Sequence, residues 1–222
     1  MIAEPYDEAD AFPGTWTIDP AASHLSFTVH YALAGRIRGR FTDFEGLLGL
    51  DPDITRCSAM LLITAASVQT GPPGQDQWLR SDAFLDTDTY PYIWFQSTRV
   101  APHPDGRREH AVVTGDLTVR DVTRPVRCPV RLRELDPGND DDPNANLTGR
   151  VSVSRTEFGL GTDRDLRRGG ILLGEHLVLD LDIRASRPRV PLRHRPGGRT
   201  GRLATDASPA RSDHHDLHGD GS

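Results

Sequence analysis

The side chains best equipped for chemistry are histidines, arginines, acidic residues and two cysteines, and their spacing decides what they can do. His214, His215 and His218 stand beside Asp213 and Asp216 near the end of the chain. Imidazole and carboxylate suit zinc or nickel. A metal site also needs ligands held in place, and this segment has almost nothing apolar to hold them, so a solvated end is the simpler reading. His24, His30, His103 and His110 are spread along the chain with no HExxH pair. His30 falls on the polar phase of a strand and reads as a surface residue. The run from Asp136 through Asp140, Asp141 and Asp142 to Asn144 invites calcium, but the ligand spacing of a calcium loop with its closing Glu is absent, which leaves a solvated loop. Arg164, Arg167 and Arg168 precede Gly169 and Gly170. Guanidinium forks and glycine amides together can take a phosphate or another polar head group, against the plainer reading of a solvated hairpin connection. Cys57 and Cys128 lack CxxC or Cys/His metal spacing and read as two free thiols in a reducing compartment. No GxSxG elbow, GxGxxG loop or Walker motif is present.

Composition narrows the classes further. The chain has 222 residues, and its 26 basic residues are all arginine, against 32 acidic ones. The net charge of −6 makes non-specific nucleic-acid binding a poor fit. No apolar run approaches the ~18 residues of a membrane-spanning helix. Met1 to Glu8 is acidic and lacks the apolar core of a secretory signal, so the expected location is the cytoplasm.

The elements are strands. Leu25, Phe27 and Val29 alternate with Ser26, Thr28 and His30. Leu117 and Val119 alternate with Asp116 and Thr118, and Val126, Cys128, Val130 and Leu132 alternate with Arg127, Pro129 and Arg131. Leu177, Leu179, Leu181 and Ile183 alternate with Val178, Asp180 and Asp182. Period-two patterning of this kind gives each strand one apolar and one wet face. Pro129 cannot donate a ladder hydrogen bond and predicts a bulge or an edge-like position. Met60 to Thr64 is a continuous apolar run, consistent with a strand covered on both faces. Pro104-Asp105-Gly106 marks a hairpin turn in which glycine takes positive φ. Asp76 to Ser81 reads as a short helical turn, with Asp76 placed to cap it and Leu79 placed to pack. About eight strands with little helix point to an all-β sandwich or barrel. Three regions follow: a loose acidic leader over 1–13, a β domain over 14–185, and a tail over 186–222 too poor in apolar residues to order itself.

Several stretches, taken in order, resemble the YceI-like family, the polyisoprenoid-binding proteins of bacteria. They are Trp16-Thr17-Ile18-Asp19-Pro20 with Ser23; Gly39-Arg40-Phe41 with Phe44-Glu45-Gly46; Ser67-Val68-Gln69-Thr70-Gly71; and Asp76-Gln77-Trp78-Leu79-Arg80-Ser81-Asp82-Ala83-Phe84-Leu85. Tyr90-Pro91-Tyr92-Ile93-Trp94-Phe95, Gly115-Asp116-Leu117-Thr118-Val119, Val122-Thr123-Arg124-Pro125-Val126 and Arg155-Thr156-Glu157-Phe158-Gly159 complete the set. The chain departs from the family's pattern in carrying Ala22 before Ser23, and Gln77-Trp78 where the family usually has a His before the Leu.

The resemblance implies a single extended antiparallel eight-stranded lipocalin-like barrel with one or two short helical turns. It also implies a carrier or binder of isoprenoid chains, such as a quinone tail or polyprenyl phosphate, rather than an enzyme. The residues expected to line the lumen are Leu25, Phe27, Val29, Leu61, Ile63, Phe95, Leu117, Val119, Val126, Val130, Leu179 and Leu181. Arg164, Arg167 and Arg168 are the candidate head-group contacts. No cofactor or metal is expected beyond a bound isoprenoid lipid or quinone, and a homodimer is allowed. The alternatives are a hydrolase or isomerase acting on a lipophilic substrate, and a stress-related interaction protein with a solid barrel.

Overall fold

A computed structural model describes residues 14–31, 35–136, 143–161 and 173–187. The arginines of the 164–168 loop, most of the acidic 136–144 loop, the leader and the histidine-bearing end all lie outside these residues.

The described residues form one antiparallel sheet closed on itself. Three of its staves are each broken once. β1 (Gly14–Ile18) runs on into β2 (His24–Tyr31), β3 (Gly35–Phe41) into β4 (Phe44–Leu50), and β5 (Ser58–Thr64) into β6 (Val68–Gln69). The other staves are single strands: β7 (Tyr92–Pro102), β8 (His110–Val119), β9 (Val122–Asp136), β10 (Asn144–Ser154) and β11 (Leu173–Ser186). Each stave pairs with the next in chain order. β11 closes the ring against β2 from Leu173 to Asp182, and against β1 at Ala185 and Ser186. Counted as staves the barrel has eight strands, as the sequence predicts.

Local chemistry explains the breaks. Pro20 ends β1, and Ser23 restores the lost ladder with its side chain. Its hydroxyl donates to the Arg184 carbonyl at 3.2 Å and accepts from the Arg184 amide at 2.9 Å. The breaks in the second and third staves lie side by side and are joined through Ser67. Its hydroxyl accepts from the Thr42 amide (3.2 Å) and donates to the Asp43 carbonyl (3.4 Å), while the Thr42 hydroxyl donates to the Ser67 carbonyl (3.2 Å). At Gly39 the Phe27 ring lies where a Cβ would project, so the curved sheet can close there only over glycine.

Pro129 occupies the position its chemistry requires. The β9–β10 ladder runs from Asp136↔Asn144 to Val130↔Gly149 and stops, so Pro129 is the first residue of β9 beyond it. Residues 122–129 of β9 keep their pairing with β8 alone, and Arg150 to Ser154 of β10 keep theirs with β11. The two strands therefore part at the Val130↔Gly149 pair.

The interior holds two apolar clusters. One gathers around Trp16, which is fully buried, with Ile18, Leu25, Phe44, Leu48, Ile183 and Ala185. The other spans the opposite part of the lumen and includes Phe27, Ile93, Leu117, Val119, Val153 and Leu177. Phe41 and Ile63 pack against both. Helix α1 (Pro73–Arg80), the turns at 81–90 and the 3-10 turn Thr156–Phe158 add Leu79, Phe84, Leu85 and Phe158 to the second cluster. The helix begins earlier than its sequence suggests, with Pro73 in its first turn, where a missing N–H costs nothing. Asp76 does not cap it. Its carboxylate instead accepts from the amide of Thr70 at 2.7 Å and the hydroxyl at 2.5 Å, which ties the helix to the end of β6.

Candidate functional site

The second cluster leaves space inside. A cavity of about 100 Å³ lies among side chains from β2, β3, β5, β6, β7, β8, β10 and β11 and from the segments that cover this part of the barrel. Among the described residues around it, Ser26 is the single polar one. An apolar wall of this kind stays dry, and an engineered cavity of about 150 Å³ accepts a benzene-sized molecule. The described lining residues offer dispersion and burial.

Seven of the twelve residues assigned to the lumen from sequence line this cavity: Leu25, Phe27, Ile63, Leu117, Val119, Leu179 and Leu181. Val29 is buried beside it in the same cluster, and Phe95 and Val126 are half-buried against that cluster. Leu61 packs against the Trp16 cluster instead. Val130 is half-buried at the last β9–β10 pair, where it faces Gly149 and borders an outer groove. Cys128, next in phase, is buried, and burial pushes its thiol up to about 11. Arg164, Arg167 and Arg168 fall outside the described residues.

Five of the other lining residues come from segments without strand periodicity. Leu79 belongs to α1, Phe84 and Leu85 to the turns after it, and Phe158 and Leu160 to the turn after β10. Trp78 sits half-buried over Phe84, with ring centroids 5.1 Å apart. A period-two reading passes over all of these, since a helix or turn presents its apolar residues at other spacings. Phe84-Leu85 and Phe158 nevertheless sit inside the motifs that carry the resemblance, which was the available signal.

Arg155 builds the cover on one side. It is only 4% exposed, and its guanidinium donates to the carbonyls of Gly174 (2.9 Å), Leu160 (2.9 Å), Leu173 (3.3 Å) and Gly161. Its own carbonyl accepts from the amides of Phe158 and Leu160. Five fixed donors let one arginine satisfy several carbonyls that the turn would otherwise bury unpaired. Phe158 and Leu160 are held over the cavity as a result. On the opposite side Arg80 donates to the carbonyls of Ala66 and Val68, which fixes α1 and with it Leu79.

Comparison with known proteins places this geometry in context. The model of the YceI-like domain matches residues 16–185. A UPF0312 protein of Staphylococcus aureus (strain bovine RF122 / ET3-1) is 25% identical over 169 residues, covering 74% of this chain and 93% of the relative. A UPF0312 protein of Pseudomonas aeruginosa (strain LESB58) is 28% identical over 165 residues, covering 71% and 82%. Among solved structures, Burkholderia cenocepacia BcnA superposes with a TM-score of 0.65 at 21% identity, over 75% of this chain and 98% of that one. A polyisoprenoid binding domain from Saccharophagus degradans implicated in plant cell wall breakdown gives 0.62 at 15% identity, over 78% and 98%.

Proposed function

The chain belongs to the YceI-like domain family, and from that premise we propose that it binds an isoprenoid or similar long-chain amphiphile inside its barrel, without chemistry on the ligand. The observation that carries this reading is the wall of the cavity: seventeen of its eighteen described lining residues are apolar. The description of the Saccharophagus degradans domain as polyisoprenoid binding supports the ligand class. A hydrolase or isomerase acting on a lipophilic substrate would need titratable groups converging on the lumen. Among the described residues, those lining the cavity offer the hydroxyl of Ser26 and no acid or base.

The size of the cavity limits how much of a ligand it can hold without rearrangement. About 100 Å³ takes the end of a prenyl chain, on the order of one isoprene unit. Each buried methylene contributes about 0.8 kcal/mol, so one five-carbon unit supplies ~4 kcal/mol before entropic costs. Micromolar affinity corresponds to about 8 kcal/mol, so a second or third unit must also be buried. The half-buried Phe41, Ile63, Leu179 and Leu181 are the side chains that yield to admit it, because they line the cavity without being fixed in the fully buried core. A quinone tail and a polyprenyl phosphate share this requirement and differ in the head group.

The test is binding across a chain-length series of prenyl alcohols to delipidated protein. Affinity that rises over the first two or three isoprene units and then levels supports the reading. Equal, weak binding of all lengths, with no protection of the protein against unfolding, contradicts it.

A further inference from the structure

On the outer surface, where β9 and β10 part, an open groove lies between the β7–β8 hairpin and the strands beside it. His103, Asp105 and His110 line its hairpin side, and Arg131, Arg150 and Asp180 also border it. The ligand atoms of His103, Asp105 and His110 all lie within 4.8 Å of one another. We propose that His103, Asp105 and His110 form a divalent-metal site of the zinc class, with its open coordination position facing this groove.

The hairpin preorganises the three ligands. His103 and His110 are seven residues apart in sequence, but the β7–β8 ladder reaches Pro102↔Ala111 and brings them face to face across the turn. The His103 amide donates to the His110 carbonyl at 3.1 Å, and the two rings meet edge to face at 5.8 Å. Gly106 closes the turn at φ +73°, and the Arg107 amide donates to Asp105 Oδ1 at 3.1 Å, which fixes the carboxylate. The Leu132 amide donates to the Glu109 carbonyl and anchors the hairpin to β9.

The donor atoms converge closely enough for one ion to bridge them. His103 Nδ1 lies 3.1 Å from Asp105 Oδ1, and His110 Nδ1 lies 2.6 Å from Asp105 Oδ2. His103 Nδ1 also lies 3.3 Å from the Asp105 amide nitrogen, a contact that an ion bound at Nδ1 would replace. Ligand atoms about 2.0–2.1 Å from a tetrahedral zinc stand ~3.3 Å apart, so small side-chain rotations suffice. Two imidazoles and one carboxylate match the borderline metals zinc, nickel and copper better than calcium or magnesium. Three protein ligands leave a fourth position for water or an exogenous anion. The three side chains are 30%, 33% and 18% exposed, so an ion can reach them.

The surrounding charges are mixed. Arg107, Arg108 and Glu109 belong to the same hairpin and Arg131 pairs across from His110, while Arg150 is engaged with Asp180 at 2.5 Å. Arg131 disfavours a bare cation and favours one that carries an anionic fourth ligand.

The experiment uses the full chain with His214, His215 and His218 changed to Ala, which removes the terminal ligands. Calorimetric titration with Zn²⁺ is expected to give one ion per chain, and His103→Ala, His110→Ala and Asp105→Asn are each expected to weaken binding at least tenfold. Copper loading of the same parent is expected to give an electron paramagnetic resonance spectrum with hyperfine coupling from two imidazole nitrogens, a readout that needs no hairpin variant to fold. Absence of stoichiometric binding by the parent, undiminished binding in the His103→Ala/His110→Ala double variant, or a copper spectrum without imidazole coupling would overturn the assignment.

Discussion

At the scale of single residues, two buried polar groups carry consequences that differ in kind. Arg155 is a buried cation whose partners are carbonyls, so removing it leaves those carbonyls without donors in a place water does not reach. Arg155→Met is expected to cost about 3 kcal/mol in urea unfolding, with the slope unchanged. A loss under about 1 kcal/mol would mean that the turn finds other donors. Cys128 is a thiol that burial keeps protonated, pushed up to about 11 from 9.0. The folded state therefore holds its proton through a pH range in which the unfolded chain releases it. The sign follows: the stabilisation is complete below about pH 9 and is lost as pH rises toward 11, by up to ~2–3 kcal/mol. Unfolding free energies measured from pH 8 to 11 should fall more steeply for the wild type than for Cys128→Val, and parallel curves would contradict this. Sequence reading placed Cys128 on the inward phase of its strand, and its burial follows from that. The part played by Arg155 was not legible, because its partners come from two segments, Leu160–Gly161 and Leu173–Gly174, that meet only in the folded barrel.

At the scale of elements, alternation was enough to find most staves, and chain-order pairing did the rest. The opening residues of each motif meant less until their neighbours were known. Gly115 starts the motif Gly115-Asp116-Leu117-Thr118-Val119, yet its reason lies across the sheet. A Cβ there would stand 2.6 Å from carbons of the Phe95 ring and closer still to the Gln96 carbonyl. Gly115→Ala should therefore cost about 1–3 kcal/mol through strain between β7 and β8, visible as a lowered urea midpoint. An unchanged midpoint would show that the pair shifts freely. Ser23 is a comparable case on the first stave, where one hydroxyl replaces the ladder that Pro20 interrupts. Ser23→Ala is expected to lose ~1–2 kcal/mol, and a smaller change would mean that the β1–β11 closure does not depend on it. The helix and the 3-10 turn after β10 were the hardest elements to assign a role. Their apolar residues are few, and only packing over the cavity reveals why Leu79, Phe84, Leu85 and Phe158 are there.

At the scale of the molecule, the barrel is part core and part container. The Trp16 cluster fills one region, which supports closure of the sheet, while the region under α1 and the Arg155 turn retains space. Neither a uniformly hollow lumen nor a solid one describes it. Leu179 lines that space and is half-buried, so Leu179→Arg places an unpaired charge against an apolar wall and should both destabilise the fold by several kcal/mol, about 3 or more, and abolish ligand uptake. Leu179→Trp is the gentler companion, filling the space without adding charge: it should retain a cooperative unfolding transition while losing affinity for prenyl chains. The most direct test of the central claim is mass spectrometry of the purified full-length protein under native conditions, followed by organic extraction of what it carries or has been offered. The account predicts one isoprenoid or similar long-chain amphiphile per chain, retained by the wild type and lost in Leu179→Trp. A folded wild-type protein that takes up no prenyl quinone or polyprenyl chain, or a Leu179→Trp variant that binds them as well as the wild type, would contradict it.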